Sequence, residues 1–357
     1  MKPIIKDSRL RRLVATLLFC TMLLVELWYA GAVLRPSRAG AVGGAPWESF
    51  AVLEPNSVDV LVFGSSHAFA GVDPAAVWRE RGIPTFILGG PTQMQQVTEY
   101  YMRESLLTQH PKVFALEMVS SSYSQRTFSP SFHAMNVGLM PPSVNKLAAS
   151  WFATPPDMRV NVLADVWSYH GRWSDLTKAD FDFKGKSAQA TYLKGFNPTM
   201  SSREVSSVPG VRPQSDYAIA DAGVAYNMET LRRIARLCGE NDVDLLLFLT
   251  PTAPPGAYSY YLDQAAAELQ AEFDNIRVLD LSASGAMPGL SYSEDFFDPG
   301  HLNWRGAEKV SRVLADYLAA TYDMPDRRTD AAYEQWAKDA VLRDEFITRR
   351  GGVLTGQ

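Results

Sequence analysis

The sequence predicts an α/β protein: a three-layer α/β/α sandwich with a central parallel sheet, preceded by one transmembrane helix. Three observations predict it. Five short β-rich apolar runs, at 58–64, 84–88, 113–119, 243–250 and 276–281, end in turn residues and lack the in-out alternation of a half-exposed strand. Helical patterns at 74–81, 94–109, 222–240, 261–273 and 303–322 alternate with them, as parallel crossovers require. Residues 13–34 form a 22-residue apolar run whose single charge is Glu26.

That run is long enough to cross a bilayer, since a helix of this length spans ~33 Å against a hydrocarbon core of ~30 Å. Lys2, Lys6, Arg9, Arg11 and Arg12 precede it. The positive-inside rule places this basic segment (1–12) in the cytoplasm and the C-terminal domain outside. Localisation at the cell membrane through one pass is the expected arrangement. The alternative is secretion after signal cleavage, because Ala30-Gly31-Ala32 has the small-x-small form of a cleavage site. Cys20 reads as an apolar filler of the span. Residues 35–56, rich in Gly, Ala and Pro, read as a linker.

The domain proper is expected over 57–325, and its 46% hydrophobic and 20% charged composition is that of a folded globular chain. Between about 124 and 221 the alternation of strands and helices breaks down. This stretch reads as a long insertion carrying short helices, one of them at 161–169. Residues 326–357 read as a charged helical tail, with Tyr333, Trp336, Ala337, Ala340 and Val341 at helical spacing. Two cysteines exclude a disulfide scaffold, and Cys238 falls on the apolar side of its helix. Beyond residue 34 the chain carries 29 basic and 37 acidic side chains. That balance argues against a nucleic-acid partner. His110 and His133 have no second ligand at metal spacing, so neither a metal nor a cofactor is expected.

The first strand runs into Gly64-Ser65-Ser66-His67, followed by a helix, and so puts a serine hydroxyl at the carboxyl edge of the sheet. Ligands of such sheets bind there. Near the other end Asp298-Pro299-Gly300-His301 precedes a helix. A serine nucleophile needs a base, and an imidazole base needs a carboxylate to fix its tautomer. Residues 251–255 close the fourth strand and form one wall of the cleft.

In these segments the chain resembles the SGNH or GDSL-like hydrolases. Their Gly-Asp-Ser block is matched by Phe63-Gly64-Ser65-Ser66, and their Asp-x-x-His block by Asp298 to His301, continued by Leu302, Asn303 and Gly306. The resemblance covers about 57–125 and 222–322. It implies Ser66 as nucleophile, His301 as base and Asp298 as orienting partner. The oxyanion donors it implies are the N–H of Ser66 and that of Gly90 or Gly89, Gly90 being preferred. His67, His170 and Arg172 are candidates for contact with substrate, with an internal structural role as the alternative for each.

Two departures stand out. The family's Asp before the nucleophile is Ser65, and its Gly-x-Asn-Asp block is replaced by 116–122, where Ser120 or Ser121 would have to supply the missing asparagine donor. The Gly-Ser-Ser form with a membrane anchor is similar to extracytoplasmic O-acyl-transfer accessory proteins. The function this implies is a serine O-acyl esterase or O-acyltransferase acting on a cell-envelope or secreted glycan. Expected partners are the glycan or acylated polymer, membrane lipid and a polytopic membrane-bound O-acyltransferase. The alternative is a catalytically weak accessory or glycan-binding protein.

Overall fold

The computed structural model describes residues 8–34, 46–124, 127–163, 165–182, 191–208 and 214–352. Helix α1 (Ser8–Leu34) is followed by α2 (Pro46–Phe50), β1 (Val60–Gly64), α3 (Ser66–Gly71), α4 (Pro74–Arg81), β2 (Thr85–Gly89), α5 (Gln95–Ser105) and β3 (Val113–Glu117). Four short helices follow: α6 (Pro130–Leu139), α7 (Val144–Ala148), α8 (Arg159–Leu163) and α9 (Asp165–Tyr169). The second half contains α10 (Gln214–Glu240), β4 (Asp244–Leu249), α11 (Ser259–Gln270), β5 (Ile276–Asp280), β6 (Phe296–Asp298), β7 (His301–Leu302), α12 (Trp304–Tyr322) and α13 (Glu334–Arg349).

Strands β1 to β5 form one parallel sheet in the order β2-β1-β3-β4-β5. Their side chains alternate between two cores. Leu61, Phe63, Phe114, Leu116, Leu245 and Leu247 enter the core under α5, α10 and α11. Val60, Val62, Val113, Ala115, Leu246 and Phe248 enter the one under α3 and α12. Both sheet faces are therefore covered, which is why the strands read as continuous apolar runs. The chain winds one way from β1 to β2 and the other way from β1 to β3, so a topological switch point lies between β1 and β3. A crevice opens outside the strand ends at such a point.

Helix boundaries follow local chemistry. Asp73 caps α4 by accepting from the Ala75 N–H, Pro74 occupies its first turn, and Gly82 ends it at φ 63°. Asn303 caps α12 through the N–H groups of Arg305 and Gly306.

Part of the expected linker is folded. Trp47 and Phe50 of α2 are buried, with Trp47 edge-on to Tyr101 and Phe50 edge-on to Phe86. Burying a side chain such as Phe50 contributes about 1.5–3 kcal/mol, enough to hold this short helix against the domain. Residues 35–45 of the linker and 1–7 of the basic segment lie outside the described residues. Helix α10 begins within the stretch read as insertion.

The tail is docked rather than free. Arg343 of α13 is fully buried and pairs with Asp73, Glu308 and Asp344. Lys194 pairs with Asp339. Trp336 and Ala340 join the core, whereas Ala337 and Val341 face solvent.

In α1, residues 9–34 are long and apolar enough to cross a membrane. Most of its large side chains are exposed, but Gly31, Val33 and Leu34 at its end are buried against α9 and the turn at 170–175.

Candidate active site

Gly64 ends β1 at φ 146°, where a Cβ would lie 2.8 Å from the Glu117 Cβ. Only glycine lets the chain turn this close to β3. Ser65 then caps α3, its Oγ accepting from the His67 N–H at 3.4 Å. The Tyr123 hydroxyl also hydrogen-bonds Ser65. With Ser65 engaged in the turn, Ser66 is the serine left half-buried at the crevice.

The hairpin of β6 and β7 brings the other two residues. Asp298 Oδ1 accepts from the N–H groups of Gly300 and His301 at 2.8 and 2.9 Å, which shapes the turn. The turn is held from outside as well, because the Ala253 N–H donates to the Pro299 carbonyl at 2.7 Å. His301 Nδ1 lies 2.9 Å from Asp298 Oδ1 and 3.0 Å from Oδ2. Its Nε2 lies 2.7 Å from Ser66 Oγ. A carboxylate only accepts hydrogen bonds, so Nδ1 carries the ring proton and Nε2 offers its lone pair to the serine hydroxyl. Burial pushes the Asp298 carboxyl up. The hydrogen bond and charge of His301, together with the two N–H groups, outweigh burial and hold it below its ordinary value. His301 and Asp298 keep 29% and 32% of their side-chain surface exposed, so the pair is open to a ligand.

His67 sits behind this pair. Its ring stacks on that of His301 at 4.7 Å between centroids and 25° between planes, with Tyr258 edge-on at 6.0 Å. Burial, then the His301 charge, push it down to about 3 against the opposing charge of Asp298, so it is a neutral ring. The His67 side chain, a candidate for contact with substrate, is thus buried and packed on the His301 ring.

Gly89 and Gly90 reach the same edge. Gly89 lies opposite Gly64 in register, and a Cβ on it would stand 3.0 Å from the Gly64 carbonyl. The Gly90 N–H donates to that carbonyl at 3.2 Å. The glycine preferred as oxyanion donor thus gives its N–H to the strand end. A Cβ on Gly90 would meet Asn136 Oδ1 at 2.1 Å, so close packing is what requires glycine there.

The serines expected to replace the asparagine donor face inward. Ser120 and Ser121 are fully buried, and Gln95 Nε2 donates to both, at 2.8 and 3.3 Å. Sequence reasoning passed over Glu117 beside them. Its carboxyl is fully buried at the end of β3, and burial raises it to about 8 against the N–H groups of Val119 and Thr250. The signal was a charged residue closing an otherwise apolar strand. Tyr123 and Tyr258 were also missed, since no spacing links them to Ser66.

His170 and Arg172 are not brought to Ser66. They lie on the turn at 170–175, where Arg172 donates to the Leu34 carbonyl and pairs with Asp180. His170 is exposed, its Nδ1 2.7 Å from the Trp167 carbonyl. The insertion carries them to the end of α1 instead. His133 is buried against Thr154, and His110 meets Asn56. Among the described residues no group of three or more His, Cys, Asp or Glu side chains is arranged to hold a metal.

No family model, curated protein or solved structure matches this chain.

Proposed function

We propose that the protein is an SGNH-type serine O-acyl esterase or O-acyltransferase, anchored by α1 with its domain outside the cell, and acting on a cell-envelope or secreted glycan. The observation that carries this reading is the chain of contacts from Ser66 through His301 to Asp298, at 2.7 and 2.9 Å, beside the switch point of the sheet. The sheet order and the location of Ser66 just after β1 support the SGNH assignment.

In the proposed reaction the Ser66 oxygen attacks an ester carbonyl while its proton passes to His301 Nε2. Asp298 stabilises the imidazolium that forms. His301 then returns the proton to the departing alkoxide, leaving an acyl-serine. In the second half His301 takes a proton from water or a sugar hydroxyl, which attacks the acyl group and frees Ser66. The oxyanion is assigned to the Ser66 N–H at the start of α3, because the Gly90 N–H is engaged with the Gly64 carbonyl. A polytopic membrane-bound O-acyltransferase would be the donor-side partner. The inward-facing serines at 120 and 121 favour a second reading, a weakly catalytic accessory protein that holds glycan, since one oxyanion donor is lost.

Incubating the full chain in detergent with an aryl acetate, with and without an oligosaccharide acceptor, tests the choice. Ser66-dependent release of the phenol supports the esterase, and acetylated oligosaccharide supports the transferase. Release unchanged in Ser66→Ala refutes the triad. Glycan binding without turnover leaves the accessory reading.

A further inference from the structure

We propose that the insertion between β3 and α10 rests on the bilayer surface as a second membrane contact, with the indoles of Trp151, Trp167 and Trp173 in the lipid interface. This rests on reading α1 as membrane-spanning and is independent of the chemistry at Ser66.

The first observation is where apolar surface is left uncovered. Outside α1, eighteen large hydrophobic side chains are exposed among the described residues, and nine of them fall between residues 144 and 181. They are ordered in stripes. Val144, Leu147 and Trp151 are spaced by three and four along α7 and the turn that follows, and Val160, Leu163 and Trp167 repeat the spacing along α8 and α9. An apolar stripe at helical spacing that meets no core is a surface meant to be covered.

The second is the distribution of tryptophan. Of the eight in the chain, Trp47, Trp78, Trp304 and Trp336 are buried. The four exposed ones are Trp28 in α1 and Trp151, Trp167 and Trp173 in this segment. An exposed indole with an apolar body and one N–H suits the headgroup boundary, where it is enriched. The Arg159 guanidinium lies 4.4 Å over the Trp151 ring, a pairing that leaves a cation at the same level.

The third fixes the height. A span needs about 20 residues. Counted from Arg12, it ends near Ala32, so the last turn of α1 emerges at the outer boundary. That turn is the one buried against α9 and the 170–175 turn, with Arg172 donating to the Leu34 carbonyl. The stripe on α8 and α9 is thereby fixed beside the point where α1 leaves the lipid, and the α7 stripe is joined to it because the turn after α7 packs on α8. One helix alone would let the domain swing, whereas a second contact sets its tilt and keeps Ser66 at a constant distance from the surface.

The test is tryptophan quenching in the full chain, reconstituted in phosphatidylcholine vesicles with or without bromine on the acyl chains near the headgroup. A Trp28→Phe variant reports on the insertion. A variant with Trp151, Trp167 and Trp173 all changed to Phe reports on α1. Both are expected to lose emission in brominated lipid above the constant background of the four buried indoles, and the part of the first variant's emission that bromine quenches is shielded from aqueous acrylamide. Quenching of the second variant alone, with acrylamide reaching the indoles of the first, overturns the proposal and leaves this face for a protein partner. Absence of quenching in both overturns it together with the membrane reading of α1, without touching the assignment of Ser66.

Discussion

Strands β1 and β3 are neighbours whose carboxyl ends face the same crevice, yet they deliver polar groups to opposite fates. At the end of β1, Ser66 is half-buried and bonded to His301, a residue 235 positions away, which in turn is bonded to Asp298. At the end of β3, Glu117 is sealed under the Gly64 turn with backbone N–H groups and, among the described residues, no cation beside it, and it holds a proton up to about pH 8. The difference lies in the partners. A group given a chain of complementary side chains stays polar and open to solvent, whereas one whose burial outweighs its hydrogen bonds is neutralised. On the proposed function this edge concentrates its chemistry at one strand end and uses the other as packing.

The comparison breaks most visibly at Ser66. On the proposed function, Ser66→Ala and His301→Ala each lower ester turnover by about 10⁴-fold or more, since either removes the acyl-serine route. Ser65→Ala costs far less, because its hydroxyl serves only the cap and Tyr123. Steady-state kinetics on an aryl acetate measure all three. Asp298→Asn is expected to fall just below the first pair, at roughly 10³–10⁴-fold, as the amide no longer favours the productive tautomer.

At the β3 end the readout is stability. Glu117 binds a proton in the folded chain that it loses near pH 4.5 when unfolded, so its contribution is present at low pH and is lost as pH rises from about 4.5 through about 8. Denaturant titrations across that window should show stability declining by on the order of a few kcal/mol, and Glu117→Gln should flatten the decline. Gly64→Ala joins the two strand ends in one test. The strained φ and the 2.8 Å approach to Glu117 should cost about 1–3 kcal/mol in the same titrations.

The smallest effect at neutral pH belongs to His67. It stays neutral down to about pH 3 when folded and protonates near 6.5 when unfolded, so stability falls as pH drops between those values. His67→Phe keeps a ring against His301 and should remove that acid sensitivity while leaving stability above pH 7 within about 0.5 kcal/mol.

Much of the fold was legible because burial is uniform along each strand. From Val60 to Phe63 every side chain is fully buried, and a run of that kind has few alternatives. Asp73 and Asn303 cap the helices that the apolar patterns at 74–81 and 303–322 had indicated. Ser66, His301 and Asp298 were legible because each stands at the end of a recognisable element. His67 was not, since its environment is created by β7 from the far end of the chain. The docking of the tail was not legible, for an electrostatic reason. Asp339 and Arg343 look like solvated charges, yet they pair with Lys194, Asp73 and Glu308 and turn the buried stripe of α13 away from Ala337 and Val341. The place of His170 and Arg172 was not legible, because sequence does not say where an insertion folds back.

The central claim is that Ser66 is a nucleophile activated by His301 and oriented through Asp298. Treating the full chain with a fluorophosphonate and mapping the adduct by mass spectrometry tests it most directly. The account predicts a single stoichiometric adduct on Ser66, abolished in Ser66→Ala and slowed strongly in His301→Ala. An adduct on Ser65 or elsewhere, or a folded protein that does not react, would contradict it.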